Sequence, residues 1–313
     1  MSGTNGLFSD GLFRGTGEEH PIDLPAAPPW RVGGQGATHA ERGETFRPGN
    51  PMIAMVNTAL LLRRPLMITG KPGTGKSSLI YAVARELQLG KVLRWPVTSR
   101  STLRQALYEY DAIGRMQEAQ LTNAPPDIGG FVRLGALGTA LLPSAVPRAL
   151  LIDEIDKADI DLPNDLLDIF EEGEFSIPEL SRLKTTRPVA VKTYDGDLYE
   201  VSDGHIRCQE FPFVVMTSNG ERDFAPAFLR RCLQLEVAEP THDELVSIVR
   251  AHLAAATGEA ADKLIGEFVT ERNTKVLSTD QLLNAVFLIT GGRYSATEAE
   301  DIKKIVFKQL ASL

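Results

Sequence analysis

The sequence predicts an α/β fold, a parallel five-stranded sheet with helices on both faces, followed by a small all-α lid domain. Three observations predict it. Short apolar, β-rich runs alternate with helical segments from about residue 45 to 238, the pattern of a parallel sheet covered by helices. One of those runs leads directly into a glycine-rich turn and then a helix, Gly70-Lys-Pro-Gly-Thr-Gly75-Lys76-Ser77. After Pro240 only amphipathic helical periods follow.

Taken in order, residues 1–44 form a Gly/Pro-rich extension (Pro25, Pro28, Pro29, Gly33, Gly34, Gly36) without a sustained apolar period, and alone they should not fold. This segment repeats Gly6-Leu7-Phe8 as Gly11-Leu12-Phe13. It reads either as a flexible leader with stray apolar residues or as aromatics that dock into a groove on another chain. Residues 45–238 carry the five core strands, at 65–69, 92–97, 149–152, 213–217 and 233–237, and a helix at 77–87. Residues 239–313 form the lid, with helices expected at 243–256, 259–271, 279–288 and 297–310.

Composition narrows the function classes. The 313 residues are 43% hydrophobic and 24% charged, which is ordinary globular material with enough apolar mass for a core. A formal charge of −8 argues against a surface that holds nucleic acid by counterion release. Cys208 and Cys232 lack a CxxC spacing or clustered histidines, so they read as reduced cytosolic thiols. The N-terminus has no basic flank with an apolar core, and no run approaches the roughly 20 apolar residues of a membrane span. No membrane role and a cytoplasmic location are the expectations.

The glycine-rich turn is a full GxxxxGK[ST] in its required strand–helix context. Its glycines let backbone N–H groups curl around phosphates, and the helix N-terminus adds partial positive charge. Pro72, Gly73, Thr74, Gly75, Lys76, Ser77 and Ser78 are therefore the expected ATP-binding residues, with Lys76 on the β and γ oxygens and Ser77 on Mg²⁺. Further on, the apolar run 149–152 ends in Asp153-Glu154. Charges are costly inside a sheet, so this pair must emerge at its carboxyl edge, where α/β sheets bind ligands. Asp153 then belongs to the metal site, and Glu154 can orient and deprotonate the attacking water. The alternative is an acidic cap on the next helix. Run 213–217 ends in Thr217-Ser218-Asn219, and Asn219 is a candidate sensor of the γ-phosphate. Ala227-Phe-Leu-Arg230-Arg231-Cys232 sets two guanidiniums before the last core strand. Arg231 is the candidate for neutralising charge on a transferring phosphoryl group, against a solvated basic helix end.

This ordered set, GKPGTGKS, LLIDEIDKADIDLPNDLLDIFEEGEF, TSNGERDF and FLRRC, resembles the AAA+ ATPases of the MoxR type from about Phe46 to the C-terminus. Residues of about 115–147 look like the insert that interrupts the second helix in this clade. Residues of about 187–211, with turn signals at Asp195-Gly196 and Asp203-Gly204, look like its hairpin before sensor 1. The resemblance implies a sensor strand lying between the two Walker strands, with Asn219 near the γ-phosphate. It implies a homo-oligomeric ring, usually of six, in which Arg231 reaches the neighbour's nucleotide. Such proteins act as chaperone-like remodellers, often beside a partner bearing a von Willebrand factor A domain. One departure stands out: the stretch where relatives place a sensor 2 arginine reads Leu277-Ser-Thr-Asp280-Gln281-Leu. Arg293 or another cation substitutes there, or the lid senses nucleotide less directly.

Two functions of different class follow. One is a ring ATPase that turns hydrolysis into movement of lid and inserts and so remodels a protein partner. The other is a nucleotide-gated scaffold with slow turnover, in a signalling or anti-phage assembly.

Overall fold

The computed structural model describes residues 48–122, 126–183, 187–253, 258–275, 277–291 and 296–308, together with residues 19, 21, 27, 28, 43 and 46. The Gly-Leu-Phe repeat and Arg293 lie outside the described residues. The described strands are β1 (Leu66–Thr69), β2 (Leu93–Pro96), β3 (Tyr108–Tyr110), β4 (Val132–Leu134), β5 (Ala149–Asp153), β6 (Glu174–Ser176), β7 (Val189–Lys192), β8 (Leu198–Val201), β9 (His205–Arg207), β10 (Phe213–Ser218) and β11 (Leu233–Glu236).

The five strands expected from the sequence form one parallel sheet in the order β11-β1-β10-β5-β2. The strand leading into Asn219 thus lies between the strand leading into the glycine-rich turn and the strand ending in Asp153. Side chains on a strand alternate between faces, and two apolar clusters divide accordingly. Met67, Leu150, Ile152, Val214 and Met216 belong to one; Leu66, Ile68, Ala149, Leu151, Phe213 and Val215 belong to the other. Strands β5 and β10 are buried along their whole length, which is why they read as unbroken apolar runs. Edge strand β2 alternates buried and exposed instead.

Helices cover both faces. The described helices of this unit are α1 (Asn50–Leu62), α2 (Ser78–Glu86), α3 (Leu103–Leu107), α4 (Ala112–Thr122), α5 (Ala136–Ala140), α6 (Leu162–Glu172), α7 (Pro178–Ser181) and α8 (Pro226–Leu229). Leu79, Ile80 and Val83 of α2 pack into one cluster, and Leu162, Leu166 and Phe170 of α6 into the other. Helix α6 stops where Gly173 takes φ +66 and returns its N–H to the carbonyl of Ile169, an end that favours glycine because no Cβ opposes the left-handed backbone.

Parts of the 115–147 and 187–211 segments meet, with β3, in a second sheet. Its order is β3-β4-β7-β8, with β7 and β8 forming an antiparallel hairpin around Asp195-Gly196. Gly196 sits at φ +99, and Thr193 Oγ1 donates to Asp195 Oδ1 at 2.7 Å to close the turn. The rest of the 187–211 segment contributes β9, which pairs with β6.

By internal contacts the chain divides into two compact units, one of Phe46–Gly70 with Gly75–Val237, the other containing Lys71–Thr74 and Ala238–Leu313. In the second, helices α9 (His242–His252), α10 (Glu259–Arg272), α11 (Thr279–Thr290) and α12 (Ala296–Val306) enclose a core of Leu245, Val249, Ile265, Phe268, Leu282, Val286 and Phe307. Capping boxes start two of them, Thr241 with Glu244 and Ser278 with Gln281. Among the described residues no helix is long and apolar enough to cross a membrane.

Candidate active site

Parallel neighbours end on the same side, so the carboxyl ends of β1, β10 and β5 converge at one edge of the sheet. Strand β1 passes into Gly70, and α2 begins at Ser78, whose N–H returns to the carbonyl of Gly75 at 2.9 Å. Gly75 holds φ +82, and a Cβ there would come 3.0 Å from the ring of Phe46. The left-handed backbone favours glycine, and the Phe46 ring would have to give way to any side chain.

Lys76, only 8% exposed, reaches back along this edge. Its Nζ donates to the Gly70 carbonyl at 2.6 Å and to Asn219 Oδ1 at 3.0 Å. Burial pulls its pKa below the ordinary lysine value, against the opposing charges of Asp156, Asp153 and Glu154. Beside it, Ser77 Oγ donates to Asp153 Oδ1 at 2.9 Å. The same carboxylate oxygen accepts from Thr217 Oγ1 at 2.7 Å, while Oδ2 accepts from Arg94 Nε at 3.0 Å and Nη2 at 2.6 Å. Burial would raise the carboxyl pKa, but these hydrogen bonds and the Arg94 charge outweigh it and hold Asp153 below the usual range.

Glu154 turns sharply out of the strand. It adopts φ 62 and ψ 51, a left-handed conformation costly for a residue with a Cβ. Its N–H donates to Thr217 Oγ1 at 2.9 Å, and its carboxylate accepts from Lys157 Nζ at 2.7 Å. Asp156 ties the next loop: its Oδ2 accepts from the N–H groups of Asn219 at 2.8 Å and Glu221 at 3.3 Å, while its Oδ1 is buried without a hydrogen-bond partner among the described residues.

The fold thus brings Lys76, Ser77, Asp153, Glu154 and Asn219 to one edge. Arg231 does not join them through its hydrogen bonds, which go to the Glu171 carboxylate and the Ala227 carbonyl. Pro72, Gly73 and Thr74 fall in the other compact unit. Within it, a Cβ on Gly73, at φ +79, would lie 2.8 Å from the Thr279 nitrogen, so the N-terminus of α11 leaves no room for a side chain. Lys71 pairs with Glu239 at 2.7 Å in the same unit.

Sequence reading passed over Arg94, Asp156, Lys157 and the hub role of Thr217. For Asp156 and Lys157 the signal is present, in charges crowded directly after an apolar strand. For Arg94 none is visible, because one arginine in a β-rich run resembles any edge-strand cation. Among the described residues no group of three or more His, Cys, Asp or Glu could cage a metal. Ser77 and Asp153 instead offer one hydroxyl and one carboxylate oxygen, hard donors of the kind that suits Mg²⁺ shared with phosphates.

A strand–GxxxxGKS–helix unit, a neighbouring strand ending in two acids, and a polar-ended strand between them define a P-loop α/β protein of the AAA+ kind. The chain belongs to the family of AAA domains of the dynein-related subfamily, whose model matches residues 65–232, more than half of its length. It is 26% identical to the chaperone protein ClpB of Chlamydia trachomatis over 80% of this chain and 28% of that protein. It is 28% identical to the chloroplastic chaperone protein ClpD2 of Oryza sativa over 51% of this chain and 16% of that protein. The chain spans less than a third of the length of these relatives.

Proposed function

We propose that this chain is an ATPase that binds ATP with Mg²⁺, hydrolyses it to ADP and phosphate, and works as a ring of like subunits that remodels a protein partner. The observation that carries the reading is the convergence of Lys76, Asp153, Glu154 and Asn219 at one sheet edge, from the ends of three neighbouring strands, β1, β5 and β10. Lys76 and the loop amides bind the β and γ oxygens, and α2 directs its positive end at the same place. Ser77 and Asp153 would hold Mg²⁺, which supplies neutralisation of phosphate charge. Asn219 Oδ1 already touches the Lys76 ammonium, so its amide Nδ2 can be turned toward the γ-phosphate and the attacking water.

Glu154 accepts a proton from that water as the water oxygen bonds to the γ-phosphorus and the bond to the β–γ bridging oxygen breaks. For this Glu154 must exchange its ion pair with Lys157, an exposed pair of small worth. Arg231 acts on the neighbour's nucleotide once it leaves Glu171. The chaperone names of the relatives support a remodelling role. The four motifs support the MoxR type, and with it a six-membered ring and a partner bearing a von Willebrand factor A domain.

A second reading, a nucleotide-gated scaffold with slow turnover, is favoured by one observation: both acids at the end of β5 are paired with cations of the same chain, Arg94 and Lys157. Phosphate release by Glu154→Gln, measured beside partner activity, separates the two. The motor reading expects both to vanish; partner activity that survives leaves the scaffold. Size exclusion of the wild type with ATP and Mg²⁺ checks the ring, which a purely monomeric profile would exclude.

A further inference from the structure

The carboxylate expected to hold the metal already carries a cation. Arg94 leaves β2 in register with Leu151 of β5, one pair before Trp95 meets Ile152 and two before Pro96 meets Asp153. Its guanidinium places both Nε and Nη2 on Asp153 Oδ2, while Oδ1 takes the hydroxyls of Ser77 and Thr217. Asp153 is 8% exposed, and both of its carboxylate oxygens are engaged, as a buried charge must be.

The partners differ in what they can yield. A serine or threonine hydroxyl can rotate and present a lone pair, so Ser77 can turn from donor to metal ligand. A guanidinium has five donors, no acceptor and a permanent positive charge. It can neither ligate a cation nor tolerate one on the oxygen it occupies. The backbone at Arg94 is fixed, by the β2–β5 pairing and by Tyr194 of the β7–β8 hairpin, whose hydroxyl donates to the Arg94 carbonyl at 2.7 Å. The side chain is not: it is 45% exposed and can swing to solvent without moving the strand.

We infer that Arg94 is a positioning residue that holds Asp153 in the place of the divalent cation, and that metal binding with nucleotide requires its guanidinium to leave, so that Arg94 sets the metal affinity of the site. This rests on the ATPase reading above. Arg94 is thereby a competitor of Mg²⁺.

The test is Mn²⁺ binding by the full chain with ADP, followed as loss of the free Mn²⁺ resonance, for the wild type, Arg94→Gln, Arg94→Ala and Arg94→Lys. Removing two charge-assisted hydrogen bonds to the carboxylate should tighten Mn²⁺ about tenfold in the Gln and Ala variants, leave ADP affinity in EDTA unchanged, and leave Arg94→Lys between them and the wild type. Should Arg94→Ala not fold, Gln and Lys carry the comparison. In thermal unfolding, Mn²⁺ with ADP should raise the transition of Arg94→Gln further than that of the wild type. Unchanged or weaker Mn²⁺ binding in Arg94→Gln overturns the inference. A drop in its ADP affinity in EDTA does so too, by making Arg94 a phosphate ligand. A wild type that binds no ADP under either condition removes the nucleotide reading as well, whereas a wild type that binds ADP with Mn²⁺ affinity unmoved by the substitutions removes the inference alone.

Discussion

Lys76 Nζ lies 3.0 Å from Asn219 Oδ1, joining the loop after β1 to the end of β10 across 143 residues of sequence. The contact exists because β10 is the immediate parallel neighbour of β1, with Thr69 in register with Ser218. An ammonium and a neutral amide are thus held in one place, an arrangement that under the ATPase reading proposed above would lower the reorganisation needed in the reaction.

From that pairing we expect a separation of binding from turnover. Asn219→Ala should cut phosphate release by on the order of 10²-fold, the scale of losing one preorganised polar group, with ADP affinity nearly unchanged. Lys76→Ala should lose nucleotide binding itself. Fluorescent-ADP titration beside single-turnover phosphate release measures both. Equal losses of affinity and turnover in Asn219→Ala would assign Asn219 to uniform binding.

Arg231 should matter through a neighbour. Its present partner is Glu171 on α6. Arg231→Ala should lower turnover by about 10³-fold, the lower range for an arginine finger. Mixing Arg231→Ala with Lys76→Ala subunits should restore part of the activity, because some interfaces then combine an intact Lys76 with an intact Arg231. Mixtures as inactive as either variant alone would place the action of Arg231 within its own subunit or make it structural.

Two groups should give opposite pH signatures. Burial pushes the Cys232 thiol up to about 12. A raised folded value leaves stability intact below the unfolded thiol range near 8.5 and withdraws it as pH rises toward 12. At pH 8 iodoacetamide should label Cys232 in the native chain on the order of 10³ times more slowly than in urea, since only the thiolate reacts. Asp153 has a lowered folded value, so its contribution is present above about pH 4 and is lost as pH falls through the folded value. Asp153→Asn should therefore flatten the acid limb of the stability profile. Rapid native labelling of Cys232, or an acid limb unchanged by Asp153→Asn, would contradict these assignments.

Much of this site was legible in the residue order because its signals are local. Gly73 and Gly75 announce a loop that only positive φ can close, and they take φ +79 and +82. Two acids after a four-residue apolar run have nowhere to sit but a sheet edge, and Asp153 and Glu154 end β5 there. The helices after Pro240 declare themselves by capping residues such as Thr241 and Ser278. The small strands β3, β4, β6 and β9 went unread, since three residues are too few to establish a period of two.

Residue order alone sets the five apolar strands, the glycine-rich loop and the two acids at the end of β5, because each depends on neighbours along the chain. Which charges meet is settled by the folded chain. Arg94 reaches Asp153 across 59 residues and Lys76 reaches Asn219 across 143. Those pairings follow from strand order and register, which long-range packing of the two sheet faces selects and no local stretch of residues encodes.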